Sequence, residues 1–191
     1  MNEFNPYINN LDLSYLKDIC ISKGELICYK RNEYFSMAGE AASCIGYVLD
    51  GALIYSCFSR SEGCIFCTGF VFTNEFVADY RACLYVIPFE INIQAVTSCK
   101  VYVCHSTELN FYYEQDAETQ RKAGINAGQL FLPVYSRFLN TYRKTPEERY
   151  RELLKRCPGI LQVLTLKELS SYLKIPPITM SKIRRKITFS E

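Results

Sequence analysis

At His105 the spacing of apolar residues changes period, and that switch limits the possible folds more than any other feature of the chain. From Gly24 to about His105, apolar residues come in short runs cut by turn signals, the texture of strands. "YVLDGALIYSCF" reads as two strand pieces around Asp50-Gly51, a hairpin dipeptide because glycine takes positive φ without steric cost. "CIFCTGFVF" and "INIQAVTSCKVYVC" continue the pattern. In the latter, Cys99, Val101 and Val103 alternate with Lys100 and Tyr102, as side chains on opposite faces of a strand must. With turns every 8–12 residues or so, this segment predicts a small all-β barrel or roll. Before it, Leu13, Leu16 and Ile19 stand near helical spacing and predict a short leading helix.

After His105 the period is helical. Gly128, Phe131, Leu132, Tyr135, Phe138, Leu139 and Tyr142 recur at three- and four-residue steps and form one apolar stripe. Pro133 falls inside it and is expected to kink the helix or start a new one, since it lacks an N–H and crowds the preceding turn. A stripe of this length between two domains is a liability on a soluble monomer, so a homodimer through residues about 117–143 is predicted.

The last third is sharply punctuated. Thr145-Pro146-Glu147-Glu148 offers an N-cap, a proline at the first helical position and a capping-box glutamate. Tyr150, Leu153, Leu154 and Cys157 form one face, and Pro158-Gly159 ends the helix. Thr165-Leu166-Lys167-Glu168 is a second capping box, opening a helix through Leu173. A third helix starts near Pro176-Pro177 and runs to about Ile187. Two short helices that cross tightly need a defined apolar skeleton, and Leu169, Leu173, Ile175, Met180 and Ile183 supply it, with Ser170 at the closest approach. Pro177 suits the first helical position, and Pro176 pushes Ile175 towards an extended backbone. The turn position that a helix-turn-helix usually gives to glycine is Lys174, where positive φ would cost about 1–2 kcal/mol; an altered turn is the alternative. On a helical wheel Met180, Ile183 and Ile187 face inward. Ile178, Ser181, Lys182 and Arg185 face outward from just after Pro177, with Thr179 and Lys186 at the flank. Lysine and arginine meet guanine edges or phosphates, serine and threonine bond to either, and an exposed isoleucine can touch a thymine methyl. Pro177, Ile178, Thr179, Ser181, Lys182, Arg185 and Lys186 are therefore the DNA-binding candidates.

Charge agrees with this division. Residues 141–191 carry 12 Lys/Arg against 5 Asp/Glu, a net of +7, whereas residues 1–140 carry 10 against 15, a net of −5. A basic third on an acidic body points to a polyanionic partner. There is no apolar run near the roughly 18 residues of a membrane span, and the opening Met1-Asn2-Glu3-Phe4-Asn5-Pro6 has neither a basic region nor an apolar stretch. A cytoplasmic location without membrane association is expected. Ten cysteines then read as thiols rather than a disulfide scaffold; Cys57, Cys64, Cys67, Cys99 and Cys104 lie in apolar runs, as small buried hydrophobes do. Cys64 and Cys67 spell C-x-x-C, but residues three apart on a strand face opposite ways. With His105 the single histidine, no metal site is expected.

These stretches, above all "TPEERYRELLKRCPGI … LTLKELSSYL" followed by "TMSKIRRKI", resemble the cyclic-AMP receptor protein / fumarate–nitrate regulator (Crp/Fnr) superfamily of bacterial transcription factors, in its short form ending just after the recognition helix. The resemblance spans nearly the whole chain. It implies an α+β fold: a cyclic-nucleotide-binding-like β-roll (jelly roll) effector domain over residues 1–116, a connecting and dimerisation helix over 117–144, and a helix-turn-helix DNA-binding domain over 145–191. It further implies a homodimer on double-stranded DNA, an effector pocket between roll and long helix, and no catalytic residues or cofactor. Ser181 and Lys182 occupy positions that face DNA in the family. The phosphate cassette departs from the family pattern: in "FTNEFVADYRA" Asn74 stands for glycine and Glu75 is kept, and in "IPFEINIQA" Phe89 falls where the phosphate-clamping arginine belongs. Arg81 is nearby but offset. Asn74, Glu75, Arg81 and Phe89 are the candidate effector-pocket residues, and the effector, an unknown small molecule, is not expected to be cyclic AMP. Cys20 and Cys28 do not make up the N-terminal cysteine cluster of the iron–sulfur relatives. The alternative function is a small-molecule sensor whose C-terminal helices dock a protein instead of reading DNA; Lys174 in the turn and the lack of wing strands after the third helix speak for it. A cupin-like enzyme would need clustered histidines.

Overall fold

The structure is a computed structural model and describes residues 11–40, 44–85 and 87–188. The leading helix α1 (Ser14–Lys23) buries Leu16 and Cys20. Eight strands follow: β1 (Glu25–Tyr29), β2 (Tyr34–Ser36), β3 (Cys44–Asp50), β4 (Ala52–Ser59), β5 (Cys64–Phe72), β6 (Phe76–Ala78), then the short helix α2 (Tyr80–Tyr85), β7 (Asn92–Ala95) and β8 (Cys99–His105). They form two antiparallel four-stranded sheets, in the orders β1-β8-β3-β6 and β2-β7-β4-β5. The inner faces meet in a core of Phe35, Val48, Leu53, Val71, Val77, Ile93 and Val101 among others. This is the expected jelly roll.

The Asp50-Gly51 dipeptide does turn the chain, with Gly51 at φ +104°, but not as a hairpin. β3 pairs with β6 and β8, while β4 pairs with β5 and β7, so Gly51 carries the chain from one sheet to the other. The hairpin is β4–β5, from Ala52↔Phe72 to Ser59↔Cys64, with a bulge at Tyr55/Ser56. Glycine at 51 is required twice over: by its φ, and because a Cβ there would lie 2.5 Å from the Ser98 carbonyl oxygen.

The helical part comprises α3 (Ser106–Tyr113), α4 (Ala117–Arg143), α5 (Pro146–Arg156), α6 (Ile160–Val163), α7 (Leu166–Tyr172) and α8 (Pro177–Thr188). α4 is one continuous 27-residue helix with Pro133 inside it, so the proline does not begin a new helix. Both capping boxes form: Glu148 N donates to Thr145 Oγ1 while Thr145 N donates to the Glu148 carboxylate, and Thr165 and Glu168 repeat the exchange. The one-turn helix α6 was not legible in sequence, being too short to show a period.

One apolar cluster joins the two parts. Ile54, Cys67, Phe70 and Phe72 of the roll pack with Tyr150, Leu153, Ile160, Leu169, Met180 and Ile183 of the C-terminal helices. A backbone-to-side-chain bond spans the junction, where Cys67 N donates to Ser171 Oγ at 2.7 Å. Cys67 is buried and Cys64 is exposed, so the C-x-x-C residues do face apart. Of the five cysteines read as buried, Cys67, Cys99 and Cys104 are; Cys57 is half-buried and Cys64 is at the surface, because the β4–β5 hairpin projects beyond the core there. Among the described residues, no cluster of His, Cys, Asp and Glu could hold a metal ion, and no helix is long and apolar enough to cross a membrane.

Candidate nucleic-acid interface

The helix pair α7–α8 is built from its turn outward. Leu173 N donates to Leu169 O, Lys174 N to Ser171 O at 3.1 Å and Ile175 N to Ser170 O at 2.9 Å, the paired bonds of a Schellman stop. Lys174 holds the left-handed position at φ +51°. The turn therefore keeps its geometry without glycine, and the altered turn does not occur. Ile175 is buried to 3% and anchors the strained residue from the far side. Pro176 accepts from Met180 N through its carbonyl, at 2.9 Å, and so ends the turn as the cap of α8, with Pro177 as its first residue.

The skeleton read from sequence is all buried: Leu169, Ser170, Leu173, Ile175, Met180 and Ile183. The opposite face of α8 is open. Pro177, Ile178, Ser181, Lys182, Arg185 and Lys186 are exposed and Thr179 is half-buried; Ile178 stands 74% exposed, a large apolar side chain with no role in the core. Ser181 Oγ donates back to Pro177 O at 3.0 Å, which leaves its lone pairs to accept from a base or a neighbouring cation. Lys186 is engaged: its Nζ lies 2.8 Å from Glu147 Oε2 of α5. Glu147 also pairs with Arg151, and Lys186, then Arg151, hold its carboxyl below the usual carboxylate range. Arg184, outside the candidate set, is exposed as well.

The effector candidates separate. Asn74 and Glu75 sit on the β5–β6 turn, where Asn74 at φ +69° takes a conformation that asparagine tolerates. Asn74 Oδ1 accepts from Tyr47 OH at 2.8 Å, and the buried Glu75 carboxylate accepts from Phe72 N at 2.9 Å. Phe89 is only 2% exposed, with its backbone paired to Gly39 and Glu40. Arg81 forms an exposed ion pair with Glu90. The phenyl ring at 89 is thus buried, and the guanidinium of Arg81 on α2 is turned to the Glu90 carboxylate that follows that helix.

Along α4, the residues Gly124, Gly128, Phe131, Tyr135, Phe138 and Tyr142 alternate four- and three-residue steps, a heptad seam. All four aromatics are 46–77% exposed; Phe131, Tyr135 and Phe138 stack in turn and Tyr142 meets Phe138 edge-on, with ring centroids 5.3–6.5 Å apart. A Cβ at Gly124 or Gly128 would meet nothing within 4 Å, so a second helix could approach closely at that end.

No protein-family model and no curated protein matches the chain. Solved structures do. FixK2 from Bradyrhizobium japonicum superposes with a TM-score of 0.71 at 16% identity, covering 87% of this chain and 85% of that one. The c-di-GMP responsive global regulator CLP of Xanthomonas campestris gives 0.70 at 12% identity over 94% and 93%. A protein of Eubacterium rectale assigned to the Crp/Fnr family of transcriptional regulators gives 0.69 at 13% identity over 98% and 88%. The chain thus has the fold of these solved structures, one of them assigned to the Crp/Fnr regulators, the family that its sequence resembles.

Proposed function

We propose that the chain is a homodimeric, DNA-binding transcription regulator that reads sequence with α8 and does not respond to cyclic AMP. The observation that carries this reading is the α7–α8 turn. A lysine is held at φ +51° by two backbone bonds and a buried isoleucine, and the arrangement leaves Ile178, Ser181, Lys182 and Arg185 unburied on one face. A strained residue kept in place points to a function, and holding a projecting helix with a basic face is one that fits. The neighbours in structure support it by fold, and their names describe regulators. The heptad seam supports a second copy along α4, which would set two reading helices on one duplex.

The proposal separates two kinds of cation. Arg185, at the centre of the exposed face, reads a base; Lys186, at its flank, contacts phosphate. In anisotropy titrations on duplex DNA, Arg185→Ala weakens binding to a preferred site by about 1–3 kcal/mol and relaxes one position per half-site. Lys186→Ala weakens all sequences alike and lowers the salt slope by about one. Equal effects acting through salt alone would mean a basic surface that does not read.

The reading without cyclic AMP rests on the same kind of chemistry. A cyclic phosphate is held by a bidentate guanidinium; here the corresponding position is a buried phenylalanine, and Arg81 pairs with Glu90. Calorimetry is expected to show no binding at micromolar nucleotide, and a micromolar dissociation constant would contradict this.

A further inference from the structure

Between α4 and the C-terminal helices lies a cavity of about 380 Å³, walled by Leu132, Pro133 and Arg137 of α4, Arg149 and Arg156 of α5, and Tyr172 of α7. Its volume falls in the range of small-molecule sites, roughly 300–1,000 Å³. Its charge is unbalanced. Arg137 and Arg149 line it with one carboxylate, Glu152, and both oxygens of that carboxylate already accept from Lys144 Nζ at 2.8 Å; Arg156 adds a third guanidinium to the wall.

Two of the guanidiniums are held by neutral groups. Arg149 Nη1 donates to Lys144 O at 2.7 Å and to Thr141 O at 3.4 Å. Arg137 Nη1 donates to Thr68 O at 2.6 Å, and its guanidinium lies over the Tyr172 ring at 4.7 Å. Carbonyl oxygens orient a guanidinium but do not cancel its charge. Among the described residues neither Arg137 nor Arg149 has a carboxylate within ion-pair distance, and Arg149 Nε is buried without a hydrogen-bond partner. A buried donor left without an acceptor is costly, and like charges gathered beside apolar walls repel one another more than in water. An anion relieves both, and the wall formed by Leu132, Pro133 and the Tyr172 ring suits its carbon skeleton.

We propose that this cavity binds a small organic polyanion, bearing phosphate or carboxylate groups, between Arg137 of α4 and Arg149 and Arg156 of α5. Bound there, the anion ties the long helix to the helix pair that carries α8. Any consequence for DNA binding rests on the reading of α8 given above; the binding of the anion does not.

The test is calorimetric titration of the full chain, without DNA, using pyrophosphate and citrate as probes, alongside NMR of the arginine Nε–Hε groups. Saturable binding of one probe per chain is expected, with a shift of the Arg149 Nε–Hε resonance. Pyrophosphate against citrate tells which acidic group is preferred. Arg156→Gln leaves both Arg149 carbonyl bonds in place and should weaken binding by about tenfold, the loss of one charge-assisted contact. Lys100→Gln, an exposed cation of β8, should leave it unchanged. Absence of saturable binding at millimolar probe overturns the proposal, as does equal weakening by the two variants, which would mean diffuse charge. Loss of duplex binding in Arg156→Gln with neither probe bound would assign these arginines to the DNA backbone and also overturn it.

Discussion

Glu147 sits where it would compete with a DNA phosphate for one lysine. It opens α5 two residues after the capping threonine, and it holds Lys186 of α8 at 2.8 Å. Because Lys186 and Arg151 lower its carboxyl, the pair stands throughout neutral pH and is lost only as pH falls through that lowered value. A lysine bound to glutamate must leave it to reach phosphate. Glu147→Gln therefore should raise affinity for any duplex, by less than about fivefold because an ion pair at the surface contributes little. Titrations of wild type and variant at two salt concentrations check this; an affinity that drops in the variant would mean that Glu147 positions Lys186 for DNA instead of restraining it. At this scale the sequence was informative where chemistry is local. The skeleton of α7–α8, the Pro176-Pro177 entry and the exposed basic face follow from spacing alone. What spacing could not give was tertiary pairing: Glu147 and Lys186 are 39 residues apart, as remote in sequence as they are close in space. The same limit applies to the roll, where Arg81 could be seen near the cassette but its engagement with Glu90 could not.

Among the elements, α4 shows most clearly a face awaiting a partner. A monomer would leave Phe131, Tyr135, Phe138 and Tyr142 in water along one seam, and burying a large apolar side chain contributes roughly 1.5–3 kcal/mol. The chain is expected to sediment as a dimer at tens of micromolar. Tyr135→Glu with Phe138→Glu should weaken the dimer by more than about 100-fold, since two such contributions per chain exceed the roughly 2.7 kcal/mol this requires. A wild-type monomer at that concentration would remove the seam from the account. The apolar stripe itself was visible as a period, because helical spacing survives whatever the helix packs against. Pro133, which removes one N–H and crowds one turn, is expected to kink the helix or start a new one; the second does not happen, because the remaining bonds of a 27-residue helix carry it through. The strand pieces around Asp50-Gly51 were equally visible, but their pairing was not. A glycine turn shows that the chain reverses, and says nothing about which sheet each arm joins.

In the whole molecule, the roll and the C-terminal helices share one apolar cluster, and α7 is bonded to β5 through Cys67 and Ser171. The basic face of α8 stays open to solvent. The account stands or falls on whether that face reads sequence. The direct measurement is selection of duplexes from a random pool by the full-length protein, repeated with Arg185→Ala. The predicted result is a twofold-symmetric motif with half-sites one helical turn apart, about 34–36 Å centre to centre, degraded at one position per half-site in the variant. Recovery of no motif by the wild-type protein would contradict the assignment of α8 as a reading helix.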